Sequence, residues 1–287
     1  ALFRLAAPLI ALGVLLGGCG QTPPSKDQNA LPGARSGAAQ SLGGNAAEPA
    51  DGAGRLTTAA VPLNLPAGSA YRNPANGRDE VIVEDIRRTA VLIGDSQSEP
   101  LMSWPRQALA AVGYKVYFCG LSGTGFVAAN GKTGNFITAL ERGDWKLPYG
   151  EPPLVVVEGG GNDAARGATD AQIVSNAERL IGTLRERYPG SRFAMIGTLA
   201  RGANHGGGRR TQVDTLLGSV AEKNAIPFVS VGDWLTRYSL TDMLADGLHV
   251  NARGHGRLGE LLTSRLRSLG LAAPDSAAKV AAAAPGR

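Results

Sequence analysis

Ser96, Asp246 and His249 are a nucleophile, an acid and a base that could act together. A serine hydroxyl is a poor nucleophile until a base takes its proton, and a histidine is the side chain best placed to do so near neutral pH. Ser96 stands in Ile93-Gly94-Asp95-Ser96-Gln97-Ser98, directly after the apolar run Thr89-Ala90-Val91-Leu92-Ile93. That run reads as a buried strand, and the carboxyl end of such a strand is where open α/β sheets place their ligands. His249 closes Asp246-Gly247-Leu248-His249, far downstream. A helix-like turn over these four residues would set both side chains on one face, so that the carboxylate holds the imidazole tautomer and favours the imidazolium. The chemistry expected of such a set is acyl transfer, with His249 taking the Ser96 proton and later returning it to the leaving alcohol.

The scaffold around these residues reads as an alternation of strands and helices. Strands are expected at Thr89–Ile93, Tyr114–Cys119, Leu154–Val157, Arg192–Leu199 and Pro227–Val231. Between and after them, helices are expected at Glu99–Val112, with Pro105 breaking or kinking it, and at Asp170–Tyr188, Gln212–Lys223 and Arg257–Leu269. The second of these carries Ile173, Ala177, Leu180, Ile181 and Leu184 at helical spacing, and Pro189-Gly190 ends it. Alternating strands and helices imply parallel pairing with both sheet faces covered. The fold class is therefore α/β, a three-layer α/β/α sandwich around a central, mostly parallel sheet of about five strands. Loops after parallel strands converge at one sheet edge. Ser96, Gly123 in Gly120-Leu121-Ser122-Gly123-Thr124-Gly125, and Asn162 in Gly159-Gly160-Gly161-Asn162-Asp163 follow three such strands, and Asp246 to His249 precedes the last helix.

In this order the four blocks resemble those of the SGNH branch of the GDSL esterase/lipase family. Gly94-Asp95-Ser96 is similar to its first block, Gly123 to its second, Gly160-Gly161-Asn162-Asp163 to its third and Asp246-x-x-His249 to its last. The resemblance covers roughly residues 88–270. It implies an SGNH-hydrolase-like, flavodoxin-like fold and a serine esterase without metal or other cofactor. It also implies three oxyanion donors: the Ser96 backbone N–H, the Gly123 backbone N–H and the Asn162 side-chain amide. Gly125 is a second candidate for the oxyanion glycine. Asp163 is expected to shape its loop rather than react. The ordinary α/β-hydrolase elbow is excluded, because it needs glycine two residues after the serine and Ser98 stands there.

Each block alone has a plainer reading. Gly94-Asp95-Ser96 would serve as a helix-capping turn, and a solitary His249 as a structural histidine. Four blocks in one order are far more specific. Three histidines with no His-Glu-x-x-His and no cysteine pair leave zinc without a ligand set, and residues 120–125 lack the Lys-Ser/Thr ending of a phosphate loop. His205 falls in a glycine-rich loop that could border the site, and His255 is expected to be exposed. Arg166, Arg209 and Arg210 could read an anionic group, with solvated surface charge as the default. Net charge is +5, but without a basic stripe interleaved with aromatics, so no nucleic-acid partner is expected.

Only Cys19 and Cys119 are present, too few for a disulfide framework. Cys119 lies in Val116-Tyr117-Phe118-Cys119 and reads as a small buried hydrophobe. Cys19 ends Gly17-Gly18-Cys19 after the apolar stretch Leu5–Leu16, which is short for a bilayer span and is preceded by Arg4. This ending resembles the bacterial lipobox, whose cysteine is lipidated. The expected organisation is a signal peptide over 1–19, a Pro/Gly/Ala/Ser-rich disordered tether over 20–75, a hydrolase domain over 76–271 and a disordered tail over 272–287. The expected partners are an ester substrate, such as an acylated envelope glycan or lipid, and a membrane reached through the lipid anchor. That places the protein on the extracytoplasmic side of a bacterial membrane, or secreted. Two alternatives stay open: an O-acyltransferase using the same three residues, and a non-catalytic glycan-binding lipoprotein.

Overall fold

A computed structural model describes residues 65–274 of the chain. The expected signal peptide with Cys19, the tether as far as residue 64 and the tail from residue 275 lie outside the described residues.

The described chain opens with β1 (Ala70–Arg72), paired antiparallel with β2 (Asp79–Val81). The alternation then runs β3 (Thr89–Gly94), α1 (Trp104–Ala111), β4 (Lys115–Gly120), α2 (Phe136–Arg142), β5 (Leu154–Glu158) and α3 (Gly161–Ala165). It continues with α4 (Asp170–Arg187), β6 (Arg192–Ile196), α5 (Gly208–Lys223), β7 (Phe228–Val229), α6 (Trp234–Arg237) and α7 (Ala252–Ser268). Strands β3 to β7 form one parallel sheet in the order β4-β3-β5-β6-β7. This is the three-layer α/β/α architecture that the alternation implies.

Successive residues of a strand point to opposite faces, and the core divides accordingly. Val91, Ile93, Val155 and Val157 pack against α2, α4 and α5. Ala90, Leu92, Leu154 and Val156 pack against α1, α6 and α7. Both faces are buried, which is why β3 and β5 read as unbroken apolar runs. The chain passes from β3 to β4 on one side and returns to β5 on the other. The crevice at the carboxyl ends of β3 and β5 is thus the point where strand order reverses, and it is there that such folds bind ligands. At this edge Gly120 lies beside Gly94, and a Cβ on Gly120 would stand 1.9 Å from the Gly94 carbonyl oxygen. Only glycine lets β3 and β4 end side by side at that spacing.

Several boundaries differ from the sequence expectation, each for a local reason. The helix expected from Glu99 begins only at Trp104, so Pro105 occupies its first turn, where a missing N–H costs nothing, and kinks nothing. The last helix starts at Ala252 rather than Arg257, because the Asn251 carboxamide oxygen accepts from the Gly254 N–H and caps it. Two short helices, α2 and α3, have too few turns to register as periodicity. Residues 70–75 fall within the expected tether but belong to the β1–β2 hairpin and its turn. Buried Glu80 gathers this hairpin by accepting from Asn73 and Asn76 and pairing with Arg187 at the end of α4. At the other end Ala273, expected in the tail, is buried and donates its N–H to Val112.

Candidate active site

The site is assembled from the loops after β3, β4 and β5 and the loop before α7. His249 Nε2 lies 2.8 Å from Ser96 Oγ, and His249 Nδ1 lies 2.7 Å from Asp246 Oδ2. The Ser96, His249 and Asp246 expected from the sequence are therefore brought into one hydrogen-bonded line. The turn that joins the last two is not helical, however. Residues 245–249 form a bend closed by the Leu244–Val250 bridge and by the Ala245 N–H on the His249 carbonyl, with Gly247 at φ 82°. Asp246 Oδ1 accepts the backbone N–H groups of His249 and Leu248 at 2.7 and 2.9 Å, leaving Oδ2 for the ring. The His249 backbone N–H, then its ring, then the Leu248 N–H hold the Asp246 carboxyl well below the usual carboxylate range. Asp246 is accordingly ionised throughout the range in which His249 can act as a base.

Gln97 is a site residue that sequence reasoning missed. It is buried, and its side chain joins the nucleophile loop to the histidine loop: Nε2 donates to the Leu248 carbonyl and Oε1 accepts from Trp104 Nε1, both at 3.3 Å. His255, expected to be exposed, is half-buried, and its Nδ1 accepts the Trp104 N–H at the start of α1. Burial, with the neighbouring His249, lowers its pKa, which keeps Nδ1 free to accept. His205 sits exposed in the 3₁₀ turn Ala203–His205. Cys119 is buried and free, and burial pushes its thiol up, in keeping with a packing role.

Of the three expected oxyanion donors, the backbone N–H groups of Ser96 and Gly123 meet no acceptor among the described residues. Gly123 has φ 79°, a left-handed conformation that favours glycine. The Asn162 amide is present but engaged: Nδ2 donates to Asp95 Oδ2 at 3.0 Å and to the Thr124 carbonyl at 2.9 Å. It must exchange one of these bonds to donate to an oxyanion. Gly125, the other candidate glycine, already gives its N–H to Ala128. Asp163 shapes this loop: fully buried, it accepts the N–H groups of Phe126, Val127 and Ala128.

Under the nucleophile lies a pair of buried carboxyls. Asp95 accepts the Gln97 N–H, and Glu158 accepts the Ser98 hydroxyl at 2.7 Å. Burial pushes the Asp95 carboxyl up to about 6, opposed by the Gln97 N–H and by Arg210. Burial and the adjacent Asp95 hold Glu158 protonated well above the usual carboxylate range. The folded state thus retains a proton on Asp95 that the unfolded chain releases. Its contribution to stability is largest at acid pH and falls as pH rises from 3.8 to about 6. Glu158, held protonated, adds a fall of its own as pH rises above 4.5, and Glu158→Gln, which has no proton to release, is expected to flatten the decline of stability with pH. Urea midpoints of both proteins at four pH values between 4 and 7 test it; parallel curves would refute a raised Glu158.

Arg166 donates to the Ala129 and Gly123 carbonyls, and Arg209 to Ala168 and Asp170. Arg210 is half-buried and donates from Nε to Leu199 and from Nη1 to Gly161, so it is not solvated surface charge. Among the described residues no group of three or more His, Cys, Asp or Glu side chains is arranged to hold a metal ion. Among them, also, no helix is long and apolar enough to cross a membrane.

Comparison with known families matches residues 86–257 to the GDSL-like lipase/acylhydrolase family, more than half of the chain. Comparison with curated protein sequences finds no match. Among solved structures, an active-site mutant of a family two carbohydrate esterase from Clostridium thermocellum is 16% identical, with a TM-score of 0.50 over 68% of each chain. That likeness is one of fold. A lipase/acylhydrolase from Enterococcus faecalis is 22% identical, with a TM-score of 0.48 over 63% of this chain and 96% of its own.

Proposed function

Because the chain belongs to the GDSL-like lipase/acylhydrolase family and is an ester-hydrolysing enzyme, we propose that it cleaves a short-chain acyl ester through an acyl-enzyme on Ser96. The observation that carries this reading is the line from Ser96 Oγ through His249 to ionised Asp246, at 2.8 and 2.7 Å. Ser96 Oγ attacks the ester carbonyl as His249 Nε2 takes its proton, and Asp246 stabilises the imidazolium that forms. The oxyanion is met by the Ser96 and Gly123 N–H groups and by an Asn162 amide that gives up its bond to Thr124 or Asp95. His249 returns the proton to the leaving alcohol, and water then enters by the same route in reverse.

The crevice directly over Ser96, lined also by Asp95, Gln97, Asn162 and Leu248, encloses about 10 Å³, about the room of one water, and so offers no channel for a long acyl chain. The Asp246 side chain is 55% exposed and that of His249 34%. Such access for water favours hydrolysis over transfer of the acyl group to a sugar hydroxyl, the second reading. On this reading the substrate is an O-acetylated glycan of the cell envelope, and Cys19 anchors the enzyme outside the membrane by a tether. Metabolic labelling with palmitate, lost in Cys19→Ser, tests the anchor.

The esterase reading is tested with p-nitrophenyl acetate, butyrate and palmitate and with a serine-reactive fluorophosphonate. Turnover falling with chain length is expected; a folded protein that neither turns over nor is labelled refutes it. Asn162→Ala is expected to lower kcat by about 10²–10³-fold with KM little changed, because the donor is needed only as the oxyanion forms. A rise in KM at constant kcat would instead assign Asn162 to ground-state binding.

A further inference from the structure

A cavity of about 220 Å³ opens beside the nucleophile and is lined by Leu199, Arg201, Arg210, Leu235, Gly247 and Leu248, among others, with no aspartate or glutamate in its wall. It shares Arg210 and Leu248 with the crevice over Ser96, so the two adjoin. We propose that this cavity is a subsite for a carboxylate carried on the alcohol portion of the substrate, held by Arg201 and Arg210. The assignment rests on the esterase reading and narrows its substrate to acyl esters of acidic saccharides.

Arg210 carries the geometry. Its Nε and Nη1 are fixed on the Leu199 and Gly161 carbonyls, while Nη2 meets no protein acceptor among the described residues. Two bonds to backbone hold the guanidinium plane still, and an arginine held this way is prepared to bind a carboxylate. Asp95 and Glu158 lie within electrostatic range of Arg210 but accept no hydrogen bond from it among the described residues. Arg201 is exposed, and among the described residues its side chain has no ion pair or acceptor. Arg209, the immediate neighbour of Arg210, is by contrast engaged with Ala168 and Asp170. Two cations therefore face one cavity without a counter-charge in its wall, and the exposed Leu248 supplies apolar surface against which a sugar ring can lie.

The position of the cavity decides which half of the ester carries the charge. Gly247 and Leu248 precede His249, whose Nε2 protonates the leaving oxygen, whereas the oxyanion donors Ser96, Gly123 and Asn162 lie just after β3, β4 and β5. The leaving alcohol, rather than the acyl group, is the part that extends toward Arg201 and Arg210.

The test compares monoacetylated methyl glucuronoside with monoacetylated methyl glucoside. The full-length enzyme is expected to favour the acidic ester in kcat/KM by about tenfold or more, as a charge-assisted hydrogen bond allows, and added salt is expected to shrink the preference. Arg201→Ala, an exposed position, is expected to remove most of that preference. Equal kcat/KM for the two esters, or a preference untouched by Arg201→Ala, overturns the subsite. A binding arm separates this from failure of the esterase reading. Ser96→Ala protein is titrated with unacetylated methyl glucuronoside and methyl glucoside. Selective binding of the acid, lost when Arg201→Ala is added, supports the subsite even where no ester is cleaved. Equal binding overturns it even where cleavage stands.

Discussion

Ser96→Ala is expected to lower kcat for p-nitrophenyl acetate by about 10⁵-fold or more, to the level set by the remaining oxyanion donors. The size follows from the division of labour in the site. Without Oγ there is no acyl-enzyme, and His249 and Asp246 have no proton to move, so their contribution disappears with the nucleophile. His249→Ala is accordingly expected to cost almost as much, and the double variant little more than either alone, because the two act as one unit. The substitution removes a single atom that bonds only His249 Nε2, so the fold and Tm should remain as in the parent. Fluorophosphonate labelling must vanish together with turnover. A variant that keeps a tenth of the parental activity would remove Ser96 from the mechanism and direct attention to another nucleophile.

Asp163→Ala is expected to destabilise the protein by about 4 kcal/mol, lowering Tm by about 10 °C. Asp163 is fully buried and accepts three consecutive backbone N–H groups, from Phe126, Val127 and Ala128, at 2.9, 2.7 and 2.8 Å. Alanine leaves all three donors without a partner in the interior, and each such donor costs about 1–3 kcal/mol. Asp163→Asn is a sharper probe. One oxygen survives for Val127 and Ala128, but an amide NH₂ then faces the Phe126 N–H, donor against donor. It should fall between the parent and alanine by urea titration. Because the anchored segment follows Gly123 directly, both variants should also lose kcat where they remain folded. Wild-type stability in Asp163→Ala would mean that the loop finds other acceptors.

These effects fall on residues of unequal legibility. Asp163 was expected to shape its loop from its place in Gly-Gly-Asn-Asp, yet nothing in that string identifies Phe126–Ala128 as its partners. The fold was readable because both faces of the sheet are covered, which leaves β3 and β5 as apolar runs and gives α4 its helical stripe. Its exact limits were less so. Pro105 signals a break in a helix just as it signals the start of one, and only the packed position of Trp104 decides between them. The Asp246–His249 spacing promised one shared face, and the structure delivers it through a glycine-containing bend rather than a helical turn.

The alternation of strands and helices and the order of four short blocks along it can be read from the residues in line, since periodicity and local motifs are properties of neighbouring residues. Parallel topology then required those blocks to meet at one sheet edge, and they do. Contacts between residues far apart in the chain arise only in the packed fold. Gln97 bonds Leu248 across 151 residues, and His255 receives the Trp104 N–H across the same separation. Asn162 has both its amide hydrogens engaged by Asp95 and Thr124. Arg210 leaves the surface to stand between the nucleophile and an acid-free cavity. Each of these depends on the angle at which a loop leaves the sheet and on what the packed helices leave uncovered. Neither quantity is a function of local spacing.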